Sequence, residues 1–98
     1  MEKRTPHCPL ERVKVLAAAR RISPTGAALR GARALGMDYP GMLEVISCLE
    51  RSDFYKSMTS HMDHRVWQDV YRPLTAFGYV YLKVSVVDDV LIVSFKEL

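Results

Sequence analysis

The stretch FGYVYLKVSVVDDVLIVSFK, residues 77–96, decides the fold. Val80, Leu82, Val84 and Val86 alternate with Tyr79, Tyr81, Lys83 and Ser85, and after Asp88-Asp89 the residues Leu91, Val93 and Phe95 alternate with Ile92, Ser94 and Lys96. A period of two over both arms predicts an antiparallel hairpin with one apolar face. Aspartate tolerates the left-handed backbone of a tight turn, which places the reversal at Asp88-Asp89. The turn then sets the register: Val87 opposes Val90, Ser85 opposes Ile92, Lys83 opposes Ser94, and Tyr81 opposes Lys96. Directly opposed Cβ atoms lie about 5 Å apart, so a phenol and an ammonium meet on the less apolar face.

Upstream, the pattern turns helical. Residues 1–9 form a polar lead-in with Pro9 suited to a first helical turn, and Leu10, Val13, Leu16 and Ala17 share one face of a short amphipathic helix. Ser23-Pro24 reads as the start of a second, alanine-rich helix that Gly36 stops. Asp38 caps a third, whose Met42, Val45, Ile46 and Leu49 make the clearest helical stripe and are expected to lie on the apolar face of the hairpin. Phe54, Tyr55 and Met58 mark one further strand; Val66, Trp67, Val70 and Tyr71 mark another, with a polar loop over residues 59–65 between them and Pro73 ending the second. The expectation is an α+β fold, three N-terminal helices packed on a mostly antiparallel sheet, in a single domain over residues 1–98.

Composition narrows the chemistry. A chain of 98 residues that is 49% hydrophobic can build its core without staples. Eight of its Lys and Arg side chains (Lys3, Arg4, Arg12, Lys14, Arg20, Arg21, Arg30, Arg33) fall in residues 1–35 beside only Glu2 and Glu11, a concentration of positive charge that suits a polyanionic ligand. Cys8 and Cys48 lack metal-ligand spacing and read as reduced thiols, Cys48 as a small buried apolar residue beside the third helix. With no signal-peptide pattern and no apolar run of bilayer length, a cytoplasmic protein away from membranes is expected. His61, Asp63 and His64 do not form a zinc motif, and no glycine-rich phosphate loop is present, so neither metal nor cofactor is expected. His64 remains open as a general base because imidazole titrates near neutrality.

Lysines set in strands are the unusual feature: Lys56, Lys83 and Lys96. Singly, such residues commonly just keep a sheet face soluble. Together with Gln68, Arg72 and Tyr81 they make a face that could grip a phosphodiester and stabilise charge as it develops. Tyr55, Trp67 or Tyr79 could stack on unpaired bases, although core packing serves such aromatics equally well.

The segments SDFYKSMTSHMDHRVWQDVYRP and VYLKVSVVDDVLIVSFKE, with MEKRTPH at the start, resemble the MqsR family of bacterial toxins, the mRNA-cleaving half of a type II toxin-antitoxin pair. The resemblance covers essentially the whole chain. It implies a RelE-like fold and a metal-independent, sequence-selective endoribonuclease with a GCU preference that stops translation and growth. It implies catalytic residues at Lys56, Gln68, Tyr81 and Lys96, and a cognate antitoxin that is zinc-containing, DNA-binding and MqsA-like; the reading of the sheet face adds expected RNA contacts at Tyr55, Trp67, Arg72 and Lys83. In such a reaction the ribose 2′-OH of the substrate is the nucleophile, which is consistent with the lack of serine or cysteine signatures. The competing class is a non-catalytic single-stranded RNA-binding module: residues 78–84, GYVYLKV, faintly echo an RRM strand, but three helices ahead of the strands depart from βαββαβ order.

Overall fold

The computed structural model describes residues 1–97. Its elements run β1 (Glu2–Lys3), α1 (Leu10–Ala18), β2 (Ile22–Pro24), α2 (Gly26–Ala34), α3 (Tyr39–Ser47), a 3-10 turn (Arg51–Asp53), β3 (Phe54–Thr59), β4 (Trp67–Tyr71), β5 (Leu74–Thr75), β6 (Gly78–Val87) and β7 (Val90–Glu97). The strands form one sheet in the order β1-β3-β4-β6-β7-β2, with β5 folded onto β6. Every pairing is antiparallel except that of β2 with β7. The fold is therefore α+β, with three helices and a mostly antiparallel sheet.

The hairpin has the expected register, from Val87↔Val90 through Ser85↔Ile92 and Lys83↔Ser94 to Tyr81↔Lys96. Both turn residues are left-handed, Asp88 at φ 51° and Asp89 at φ 60°, the twist that a two-residue hairpin loop requires. Tertiary contacts hold the turn in place. Arg12 pairs with the Asp89 carboxylate, and Arg21 Nε donates to the Asp89 carbonyl at 3.0 Å. Two basic residues of the N-terminal third thus serve the fold.

Two helix expectations need correction. Ser23-Pro24 does not open a helix; it lies in β2, where Pro24 pairs with Val93 at the sheet edge and its missing N–H costs no ladder bond. Thr25 is the true cap of α2, accepting from Ala28 N at 3.0 Å. The helix lying directly on the hairpin is α2, not α3. Small residues explain the choice: Ala28 and Ala32 are buried, and Gly31 sits over the Phe95 carbonyl with no room for a side chain unless the helix moves. Helix α3, capped by Asp38 as expected, packs on α1 and sends Met42, Leu43 and Ile46 into the same core as Leu82, Val93 and Phe95, with Leu49 joining it just past the helix end. Cys48 is exposed rather than buried, because it falls one residue past the last turn of α3.

The N-terminal lead-in is tied down instead of trailing. Asp69, 1% exposed on β4, accepts from the backbone N–H groups of His7 and Cys8, each at 2.9 Å. A buried carboxylate with two charge-assisted bonds is a strong anchor. Tyr71, two residues along, points the same way, and its hydroxyl is buried without a hydrogen-bond partner among the described residues. Burial, with Asp69 nearby, pushes its phenol up to about 12. A phenol raised on folding favours the native state below its unfolded pKa near 10, and that advantage disappears as pH climbs toward 12. Alkaline melting should show this as a loss of stability starting near pH 10, and Tyr71→Phe should flatten that part of the curve.

Candidate active site

One face of the sheet carries the helices, and the other carries the lysines. Residues paired across strands share a face, so the ladder can be read in rows. Tyr81 and Lys96 make one row, with Lys96 Nζ 4.9 Å from the centroid of the Tyr81 ring. The adjacent row runs Lys56, Val70, Lys83, Ser94 across β3, β4, β6 and β7. Val70 is fully buried yet lies outside the helix-side core cluster, as expected for an apolar residue under the aliphatic stems of the lysines beside it.

Lys56 reaches this face through an irregularity. Phe54 pairs with Tyr71 and Lys56 pairs with Val70, so Tyr55 is an extra residue in β3 with no partner of its own. A bulge of this kind re-aims side chains. Strict alternation would put Tyr55 and Lys56 on opposite faces; with the bulge, Lys56 Nζ lies 5.4 Å from the centroid of the Tyr55 ring. Arg72 stacks on the same ring at 3.9 Å, and Arg4 lies 5.9 Å from it. One phenol therefore gathers three cations.

Lys56 has an acidic neighbour that sequence reasoning missed. Glu2, on the edge strand β1, accepts from Lys56 Nζ at 2.8 Å. That hydrogen bond raises the lysine above its ordinary pKa of 10.5, and the phenols of Tyr55 and Tyr81 act in the same direction. The same bond, with the charge of Lys56 behind it, lowers Glu2 below 4.5. A raised lysine keeps its contribution until pH rises through its folded pKa, and a lowered carboxyl keeps its own until pH falls through its folded value. The pair is accordingly charged on both sides across the whole neutral range. Lys56 can bind an anion there but cannot take a proton.

Gln68 and Trp67 sit apart from this centre. Gln68 pairs with Met58 on the lysine face, four residues along β4 from Arg72 and so about 13 Å from it at strand rise. Trp67 pairs with Thr59 on the opposite face, where His7 stacks on it at 5.5 Å and Lys3 Nζ lies 4.3 Å from its ring centroid. His64 is exposed in the β3–β4 loop, and its neighbour Asp63 is engaged by Arg65 Nε at 3.1 Å. A recess of about 330 Å³ between α3 and residues 73–77 is lined by Glu44 and Asp53 as well as Val45 and Phe77, which is the wrong charge for a polyanion. Glu2, Arg4, Lys3 and His7 were not visible as a group in sequence, because each meets its partner only through the fold.

Residues 5–97 match the family described as "Motility quorum-sensing regulator, toxin of MqsA". The chain belongs to the MqsR toxin family. It is also 58% identical, over 97 residues covering 99% of both chains, to a protein of Escherichia coli (strain K12) named mRNA interferase toxin MqsR. Of the site residues expected from sequence, the structure brings Lys56, Tyr81, Lys96, Tyr55, Arg72 and Lys83 to one sheet face, leaves Gln68 at its margin, and sets Trp67 behind it.

Proposed function

We propose that this MqsR-family toxin is an endoribonuclease that cuts mRNA on the lysine-bearing face of its sheet, using the 2′-OH of the substrate as nucleophile. The observation that carries the reading is the Tyr81–Lys96 pair beside Lys56, three groups suited to a phosphate and to the charge that grows on it. The name of the Escherichia coli relative supports the substrate class. In this reading Lys56 and Lys96 hold the non-bridging oxygens, and Tyr81 orients or protonates an oxygen of the linkage. Tyr55, backed by Arg72, stacks on a neighbouring base, and Lys83 and Arg72 neutralise flanking phosphates. Gln68, at the margin, serves as a base or ribose contact a step away from the scissile bond. The chemistry runs without a metal, and products end in a 2′,3′-cyclic phosphate and a 5′-OH.

The finer expectations belong to the same proposal. They are a RelE-like fold, preference for GCU, action in the cytoplasm, and control by a zinc-containing, DNA-binding antitoxin that joins its sheet to this one by strand addition. The family description, toxin of MqsA, supports an antitoxin partner as such.

A defined single-stranded RNA incubated with the protein in EDTA tests the core of the reading. Cleavage should proceed unchanged in the chelator, and one 2′-deoxy substitution on the 5′ side of the cut should abolish it, because the nucleophile is gone. Continued cutting of the deoxy substrate at the same bond would overturn the mechanism.

A further inference from the structure

Attack by a 2′-OH requires something to accept its proton, and the lysines and tyrosines of this face do not fit that role. Lysine and tyrosine side chains hold their protons at neutral pH unless strongly depressed, and Lys56 is shifted the other way. The histidines are elsewhere: His7 is stacked on Trp67 behind the sheet, and His61 and His64 lie in the β3–β4 loop. The aspartates are also accounted for. Asp38 caps α3, Asp69 is buried under the helices with two backbone N–H groups, Asp63 is held by Arg65, Asp53 caps the 3-10 turn, and Asp88 and Asp89 form the hairpin turn at the far end of β6. Among the residues whose side chains are described, the carboxylate on the lysine face is that of Glu2. Its register confirms the face: Glu2 pairs with Met58, which pairs with Gln68.

We infer that Glu2 is the proton acceptor of the cleavage reaction, released for that task when the scissile phosphate takes Lys56 from it. The inference rests on reading this face as the site of RNA cleavage. In the free protein the carboxylate aims the Lys56 ammonium at 2.8 Å and is 54% exposed, so substrate can approach both partners. A phosphate on Lys56 competes for the ammonium that bonds Glu2 and leaves an oxygen free within a few ångströms of the ribose. The 2′-OH proton passes to Glu2 as the 2′-oxygen bonds to phosphorus. The bond from phosphorus to the 5′-oxygen breaks, and that oxygen takes a proton from the Tyr81–Lys96 pair. Glu2 then gives its proton to water, and the Tyr81–Lys96 pair takes one back from water, which restores both. Freed from Lys56, the carboxylate also becomes a stronger base, which helps where acceptance is needed.

The test is Glu2→Gln, which keeps an oxygen for Lys56 and cannot take a proton. With a fixed RNA, kcat should fall by about 10²-fold while KM stays level or drops, and Glu2→Asp should recover part of the rate. The charges facing Glu2 are Lys56 from β3 and, along its own strand, Arg4 and the terminal ammonium. Lys56 is raised and so keeps its charge on the acid side, and the acid limb of the kcat profile should vanish in Glu2→Gln between about pH 4 and 8. Glu2→Gln cutting at the parent rate would overturn the assignment, and faster cutting would mean that the carboxylate only restrains Lys56. A raised KM with kcat unchanged would also overturn it, showing that Glu2 merely positions Lys56. If the parent chain cuts RNA and Glu2→Gln does too, only this inference fails; if the parent does not cut, the reading of the face fails with it.

Discussion

Lys96→Ala should reduce RNA cleavage by about 10²- to 10³-fold, the loss that follows removal of one preorganised donor, about 2.7 to 4 kcal/mol. Lys96 is exposed at the end of β7, with its ammonium over the Tyr81 ring, so the variant should melt within about 2 °C of the parent. Tyr81→Phe separates the ring from its hydroxyl: it keeps the surface on which Lys96 rests and removes the O–H. A comparable loss in that variant would assign the effect to the oxygen, and the double variant should lose less than the two effects added, since both act on one phosphate. Initial rates on a short RNA at saturating concentration measure all three. A folded Lys96→Ala variant that cuts at the parent rate would remove the pair from the mechanism.

Asp69→Ala should have the largest effect on stability of any single polar replacement described here. The side chain is fully inside, and its loss leaves the N–H groups of His7 and Cys8 facing an apolar gap. Hydrogen bonds to a charged acceptor contribute roughly 1.5 to 3 kcal/mol each, so a loss of about 3 kcal/mol for the two is a conservative sum. For a domain of this length that corresponds to a fall in Tm of at least about 10 °C. Asp69→Asn should cost about half as much, because the amide oxygen still accepts one bond while its NH2 opposes the other donor. Cleavage should suffer as well, since the segment released carries Arg4 away from Tyr55 and loosens β1. Thermal melts of the three proteins decide the matter; an Asp69→Ala midpoint within about 2 °C of the parent would mean that other contacts hold the N-terminus.

How much of this was legible in the chain depends on how local each feature is. The Tyr81–Lys96 pair follows from alternation and from two turn residues that accept left-handed backbone, all within residues 77–96, and it was readable to the residue. The caps and stops at Asp38 and Gly36 are local too, and they held. The stronger stripe of α3 misled as to which helix lies on the hairpin; the alanines of α2 were open to close packing as well as to a marginal helix, and their small size is what lets α2 lie on β7. Strands β1 and β2 have two and three residues, too few for a periodic signal. The Glu2–Lys56 contact joins positions 54 apart, and no pattern in either segment announces it. Trp67 was hard for a different reason: its aromatic face could serve RNA or the protein equally well, and here His7 and Lys3 occupy it.

The unpaired Tyr55 in β3 carries a design consequence. Deleting that one residue would give the strand perfect alternation and a continuous ladder, a change that sheet energetics should welcome. Phe54 would stay opposite Tyr71 and Lys56 opposite Val70, but Lys56 would lose the ring on which Arg72 and Arg4 converge. Selection for a sturdier sheet and selection for a working toxin therefore pull in opposite directions at one position. The flaw in the strand is what sets Lys56 beside the ring that gathers the cations of this face.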